Sequence, residues 1–271
     1  MKKILRITGS VILWTWRILA TGTALVSTFF MLFSIGMLLF LLGRQADVKI
    51  ADDSALVLAP YGSILEKKLP LDPVSQLMNF INATPRPPEL LSQDIISGIQ
   101  AAAHDDRIKL LVLALDKLEY AGLNQLQDIG KAIDKFKKSG KTVIAYADTF
   151  SQGQYYLAAR SDEIYLNPMG SVTLRGFGVF QLYLLNLIEK LNINFHVFRV
   201  GTFKSAVEPL IRNDMSPEAK KANLQWLTRI WRNFCDEIAL QRGVSSQAIH
   251  DAVDQLAENL QVAGGDSAKM A

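Results

Sequence analysis

The stretch Ile108-Lys-Leu-Leu-Val-Leu-Ala-Leu115, answered a helix later by Thr142-Val-Ile-Ala-Tyr-Ala147, decides the fold. Each run is short, almost continuously apolar and flanked by polar residues; Asp105-Asp106-Arg107 turns the chain into the first. Runs of this kind read as strands buried in a parallel sheet. Between them, Gln125 to Ser139 sets Leu126, Ile129, Ile133 and Phe136 at helical spacing and stops at Gly140. Upstream, Ser92 is the expected cap of a helix running through Ala103, with Ile95, Ile96, Ile99 and Ala103 on one face. Ala55 to Pro60 reads as a short strand, and residues 61–88 as irregular chain broken by Pro70, Pro73, Pro85, Pro87 and Pro88. Downstream follow a helix from Gly153 to Arg160, a strand Glu163 to Leu166, a Gly-rich segment to Gly178 and a helix Leu182 to Leu191. A further strand, Phe195 to Val200, comes next. Ser216-Pro217 then opens a long helix through Gln241 with the stripe Leu224, Leu227, Ile230, Trp231, Phe234 and Ile238. Strands alternating with amphipathic helices predict an α/β architecture, a parallel sheet covered by helices.

The N-terminus has a different character. Ile18 to Leu42 is a run of 25 uncharged, mostly apolar residues, longer than the roughly 20 needed to cross a bilayer. No small-residue cleavage site follows it cleanly, so an uncleaved anchor is expected rather than a removed signal. Lys2, Lys3, Arg6 and Arg17 precede the run without an acid among them, which keeps the N-terminus cytoplasmic and puts the body on the far side. The 271-residue chain carries +3 overall; residues 1–44 carry +5, leaving the remainder at −2. The basicity belongs to the anchor, which argues against a nucleic-acid-binding body. The boundaries that follow are residues 1–17 as a basic cytoplasmic segment, 18–42 as the transmembrane anchor, 43–54 as a linker and 55–271 as the folded domain.

Lys204 is the residue with the most chemistry to offer. It lies in Phe198-Arg-Val-Gly-Thr-Phe-Lys-Ser-Ala-Val-Glu-Pro209, among small and apolar neighbours. A free lysine titrates near 10.4 and is a poor base at neutral pH, but desolvation lowers that value by up to several units. A lysine so placed takes the proton from a serine hydroxyl, and Ser-Lys pairs are one form of activated nucleophile. The ordinary alternative is a solvated surface lysine. Cys235 is the only cysteine, so no internal disulfide forms; its place on an amphipathic helix suits a small buried side chain. His104, His196 and His250 are isolated and lack metal-ligand spacing, and no metal or other cofactor is expected.

Several longer runs carry a family resemblance: Trp14-Thr-Trp16-Arg17, Ser139-Gly-Lys-Thr-Val, Phe150-Ser-Gln-Gly-Gln-Tyr-Tyr-Leu-Ala158, the Lys204 segment, Asn213-Asp-Met-Ser-Pro217 and Gly264-Gly-Asp-Ser-Ala-Lys269. With these the chain resembles the S49 serine peptidases in their long, two-repeat form, the signal-peptide-degrading peptidases of bacterial inner membranes. The resemblance implies a ClpP/crotonase-like fold in two tandem repeats, with residues 55–271 as the first. It implies a split dyad, in which Lys204 is the general base and the serine nucleophile comes from the second repeat, beyond Ala271. It also implies signal peptides and other apolar peptides as substrates, contact with membrane lipid and a homo-tetramer.

On the same resemblance, the nucleophile position of this repeat falls on Gln152, which cannot attack a carbonyl. Ser151, one residue away, is a candidate whose simpler role is a helix cap. Ser205 adjoins Lys204 in sequence, where neighbours rarely face each other. Gly122 stands at the place of an oxyanion-loop Gly-Gly pair whose second member is Leu123; its plain role is a strand-to-helix turn. Ser171 and Thr202 are candidates for hydrogen bonding to the Lys204 amine. The competing expectation is a non-catalytic scaffold or assembly module with a degenerate site. Crotonase-type acyl-CoA chemistry shares the implied fold, but an anchored body on the far side of the membrane lacks access to cytosolic CoA.

Overall fold

The computed structural model describes residues 2–43, 50–68, 81, 88–198, 200–201 and 203–271, in two units divided between Ile50 and Ala51. The first unit is one helix, α1 (Lys2–Gly43), which also takes in the basic residues ahead of the expected anchor. Its segment Thr21–Phe40, with mean hydropathy 2.1, is long and apolar enough to cross a membrane.

The second unit is built on a four-stranded, all-parallel sheet in the order β1 (Ser54–Leu58), β4 (Ile108–Ala114), β6 (Thr142–Ala147), β8 (Glu163–Leu166). Register places Leu56 beside Leu111, Leu111 beside Val143, and Leu113 beside Ala145. Leu111, Leu113, Val143 and Ala145 are completely buried. The helices α2 (Ser92–His104), α3 (Leu123–Lys138) and α4 (Gln152–Ala158) pack together on this side. All four residues expected on the inner face of α3 are buried, with Ala132 and Gly130 beside them. Helices cover one face of the sheet. The other, carrying Val57, Val112, Ile144, Tyr146 and Tyr165, is half-exposed within this chain. Continuous apolar runs therefore did not mean two covered faces.

Two smaller parallel sheets complete the framework. One has the order β3 (Glu89–Leu91), β2 (Gly62–Leu65), β5 (Leu118–Ala121); the other pairs β7 (Phe150–Ser151) with β9 (Val172–Thr173). β2 lies in the stretch expected to be irregular. The prolines there flank the strand rather than interrupt it, and its single fully buried large side chain, Ile64, gives little periodicity to read.

Helix α5 (Leu185–Lys190) and the one-turn α6 (Glu208–Ile211) lead to α7 (Pro217–Arg242), followed by α8 (Ser246–Asp254), α9 (Leu256–Val262) and α10 (Ser267–Met270). α7 starts as its sequence dictates: Ser216 Oγ accepts from Ala219 N at 3.1 Å and Pro217 takes the first helical position. It ends at Gly243, whose φ of 66° is the left-handed cap conformation that glycine adopts without strain. Phe234, Cys235, Ile238 and Ala239 are buried, whereas Leu224 and Trp226 near its start are exposed. Only the C-terminal half of the expected stripe is core.

Two expectations are corrected. Ser92 is the first residue of α2 rather than its cap; Leu91 holds the cap position and, being apolar, makes no side-chain capping bond. Phe195 to Val200 forms no strand among its described residues. Among the described residues no sheet edge pairs with it, and Phe198 and Val200 are 96% and 86% exposed. An apolar β-branched run supplies propensity, but a strand also needs a hydrogen-bonding partner.

Candidate active site

The start of α4 forms the wall of an open cleft of about 510 Å³, lined by β5, by residues 149–152 and 154, and by Ser171, Thr173, Arg175 and Gly176. Ser151 is the helix cap: its Oγ accepts from Gln154 N at 3.4 Å, and Gln154 Oε1 accepts from Ser151 N at 2.7 Å. This reciprocal box fixes the helix entry. Gln154 does more. Its Nε2 donates to Leu115 O at 2.9 Å and to Leu118 O at 2.8 Å, joining the end of β4 to the start of β5.

Gln152, at the position where the resemblance puts a nucleophile, is fully engaged in structure. Its Oε1 accepts from Arg175 N at 3.0 Å and Gly176 N at 2.9 Å, and its Nε2 donates to Gly176 O at 3.2 Å. The amide behaves as an extra rung beyond the β7–β9 ladder.

Gly122 caps α3, with its carbonyl accepting from Leu126 N at 3.0 Å, as a strand-to-helix turn should. Ser171 lies beside Ser151 in the cleft, and its carbonyl accepts from Phe150 N at 2.9 Å. Gly170, just before it, allows no side chain, because a Cβ there would lie 2.0 Å from Asp148 O. Ser267 of α10 donates to Gly170 O at 2.7 Å, so the end of the chain is tied to the same loop.

Lys204 stands apart. It is exposed, on a turn before α6, and it is not among the described residues lining the Ser151 cleft. Its stem runs past Gly201, where a Cβ would meet Lys204 Cγ at 3.9 Å. The apolar neighbours that suggested a pocket are there, but Phe198, Val200 and Phe203 are exposed. Ser205 turns its carbonyl to Glu208 N at 3.0 Å. Thr202 lies outside the described residues. The cleft therefore joins Ser151 and Ser171, Gly122 sits at the head of α3, and Lys204 is on a separate turn.

The residues that fix this turn were not evident from sequence. Glu208, 1% exposed, accepts from Ser216 N at 3.0 Å and from Ser216 Oγ at 2.5 Å. A carboxylate at the start of the 26-residue α7 is favoured by the helix dipole. Its one sequence signal was a lone acid within Ala206-Val-Glu-Pro-Leu-Ile211. α7 is in turn held to the body by Arg160, 4% exposed, whose Nη2 donates to Glu237 Oε2 at 2.7 Å and whose Nη1 donates to Tyr156 O at 2.7 Å. Tyr156 also donates to Glu237 and stacks on Phe234 at 5.4 Å. Burial, reinforced by Glu237, pushes the Tyr156 phenol well above its ordinary range, while Arg160 opposes that rise. Phe177, just past the Gln152 staple, packs on Trp231 and Phe234 at 6.2 and 5.8 Å. Phe177 and Glu208, which bracket residues 178–207, thus contact α7 and its cap respectively.

Of the three histidines, His250 Nδ1 accepts from Trp231 Nε1 at 3.1 Å, His104 Nδ1 lies 2.8 Å from Gln100 O, and His196 is exposed. Among the described residues no cluster of three or more His, Cys, Asp or Glu is placed to hold a metal ion.

Comparison with known proteins gives this arrangement a family. The model of peptidase family S49 matches residues 135–271, half of the chain. Protease 4 of Haemophilus influenzae is 38% identical over 238 residues, covering 88% of this chain and 39% of that protein. Protease 4 of Salmonella typhi is 35% identical over 276 residues, covering 100% of this chain and 45% of that one. The chloroplastic serine protease SPPA of Arabidopsis thaliana is 29% identical over 194 residues, covering 72% and 28%. The chain spans less than half the length of these relatives. Among solved structures, an enoyl-CoA hydratase/isomerase family protein from Silicibacter pomeroyi matches 63% of this chain and 87% of that one. Its identity is 15% and its TM-score 0.23, too low to carry a fold argument. On the family match and these relatives, the chain belongs to peptidase family S49.

Proposed function

We propose that this chain is the lysine-bearing part of a membrane-anchored serine endopeptidase that degrades cleaved signal peptides and other apolar peptides. Lys204 is its general base. The nucleophilic serine is supplied from outside residues 1–271, in the part of the relatives' length that has no counterpart here. The reading rests on one observation above the rest. The cleft of this repeat holds an amide, Gln152, tied by three hydrogen bonds, where a nucleophile would be needed, while Lys204 is presented outward on an anchored turn.

In the proposed reaction the serine Oγ attacks the scissile carbonyl as Lys204 Nζ takes its proton. The ammonium then returns that proton to the leaving amine. Lys204 next accepts a proton from the water that attacks the acyl-enzyme and returns it to the serine Oγ as the C–Oγ bond breaks, which frees the acid product and restores both groups. Such a base must be neutral, so the second half has to cover the exposed Phe198, Val200 and Phe203 and desolvate the amine. Thr21–Phe40 is the anchor, crossing an inner membrane once with the N-terminus cytoplasmic and residues 55–271 on the far side. Placement beside the bilayer suits apolar substrates. The ring-like tetramer and the two-repeat ClpP/crotonase-like arrangement belong to the same proposal.

A second reading, a non-catalytic assembly module, draws on the same Gln152. One experiment separates the two. In the full-length protein, Lys204→Ala should lower kcat for an apolar peptide ester by about 10²–10⁴-fold, the usual worth of general acid–base catalysis, with the assembly intact. Wild-type kcat in that variant refutes the role of Lys204 and favours the module.

A further inference from the structure

We propose that Glu208 is a positioning residue for Lys204, acting through the cap of α7. The inference rests on the reading of Lys204 as the base and adds to it the device that aims it. Lys204 lies four residues before Glu208, and the intervening turn is closed by Glu208 N donating to Ser205 O at 3.0 Å. Glu208 is buried, although the segment around Lys204 is largely exposed. Its carboxylate takes both the N–H and the hydroxyl proton of Ser216. The Ser216 oxygen in turn accepts from Ala219 N in the first turn of α7. One hydroxyl therefore both caps the helix and holds the carboxylate.

Nothing in helix capping requires this second contact: Ser216 caps α7 with or without Glu208. A buried carboxylate is costly unless its oxygens are hydrogen-bonded, which makes the geometry specific. The effect is to fasten the short α6, and with it the Lys204 turn, to a helix itself locked to the body through Arg160 and Glu237. A base must stand within hydrogen-bond reach of its proton, and a displacement of about 1 Å in such a group costs on the order of 10²-fold in rate. In this scheme Glu208 acts through the turn that carries Lys204.

The test uses the full-length protein and an apolar peptide ester. Glu208→Gln keeps the size but cannot accept both Ser216 protons as strongly, so kcat should fall about 10–100-fold while KM stays within about twofold. Ser216→Ala should give a smaller fall in kcat, and Ser216→Thr, which restores a hydroxyl, should recover most of it. Should Glu208→Gln fail to fold, the Ser216 pair alone decides. A kcat within twofold of wild type in folded Glu208→Gln, a rise in KM alone, or no recovery by Ser216→Thr overturns the proposal. Lys204→Ala is run in parallel. An inactive Lys204→Ala beside an active Glu208→Gln overturns the positioning role and leaves the base; an active Lys204→Ala overturns both.

Discussion

Replacing Gln154 tests whether the candidate cleft is held open by side-chain hydrogen bonds. Gln154 is 7% exposed and its amide makes three bonds: to Leu115 O, to Leu118 O and from Ser151 N. Gln154→Ala removes all three. Leu115 O keeps its bond from Leu118 N, so two main-chain groups, Ser151 N–H and Leu118 O, lose their amide partner. A buried group left unmet costs about 1–3 kcal/mol, and water from the adjoining cleft recovers part of it, giving about 2–4 kcal/mol. For a body of this size each kcal/mol lowers Tm by about 2–4 °C, so a fall of roughly 4–16 °C is expected. Gln154→Glu is the sharper variant. It keeps the shape and the acceptor for Ser151 N, but turns carboxylate oxygen toward two carbonyl oxygens, so it should be no more stable than Gln154→Ala despite being nearly isosteric. Urea unfolding of the detergent-solubilised full-length protein, followed by tryptophan fluorescence, reads both. Gln154→Glu within 0.5 kcal/mol of wild type, a margin expected of an ordinary surface substitution, would refute the reasoning.

Two further outcomes are expected. Cys235 is fully buried, and burial together with Asp236 pushes its thiol from 9.0 up to about 12. A raised value favours the protonated form in the fold, so its contribution to stability is present below pH 9 and is lost as pH rises towards 12. At pH 8 iodoacetamide should label the protein only once urea has unfolded it; rapid labelling of the native protein contradicts the burial. If Thr21–Phe40 spans a bilayer, the full-length protein should stay in the membrane pellet after alkaline carbonate extraction, and its release into the supernatant contradicts the anchor.

The parts of the fold that were legible in sequence are those with internal periodicity. β4, β6 and β8 declared themselves by apolar runs, α3 by its 3.6-residue face, and α7 by Ser216-Pro217 at its start. β2 and β5 did not, because a four-residue strand with one fully buried large side chain carries almost no pattern. The segment from Phe195 misled in the opposite way: its composition suits a strand, but among the described residues it joins no sheet. At the site, Ser151 and Gly122 took the capping and turn roles their residue types suggest. The bonds that make the site specific join distant positions: Gln154 to Leu115, Arg160 to Glu237 and Glu208 to Ser216. Local spacing encodes none of the first two and only hints at the third. Lys204 was singled out by its apolar neighbours, and those neighbours proved exposed, which is why the base is assigned to an assembly larger than this chain.

The measurement that bears most directly on that assignment is the distance from Lys204 Nζ to the nearest serine Oγ in an experimental structure of the full-length assembly. The account predicts a serine from beyond residue 271 at about 3 Å, with Phe198, Val200 and Phe203 covered around the pair. A Lys204 Nζ still in solvent, with no serine Oγ within about 5 Å, would contradict it, since the proton could not then be passed directly from serine to lysine.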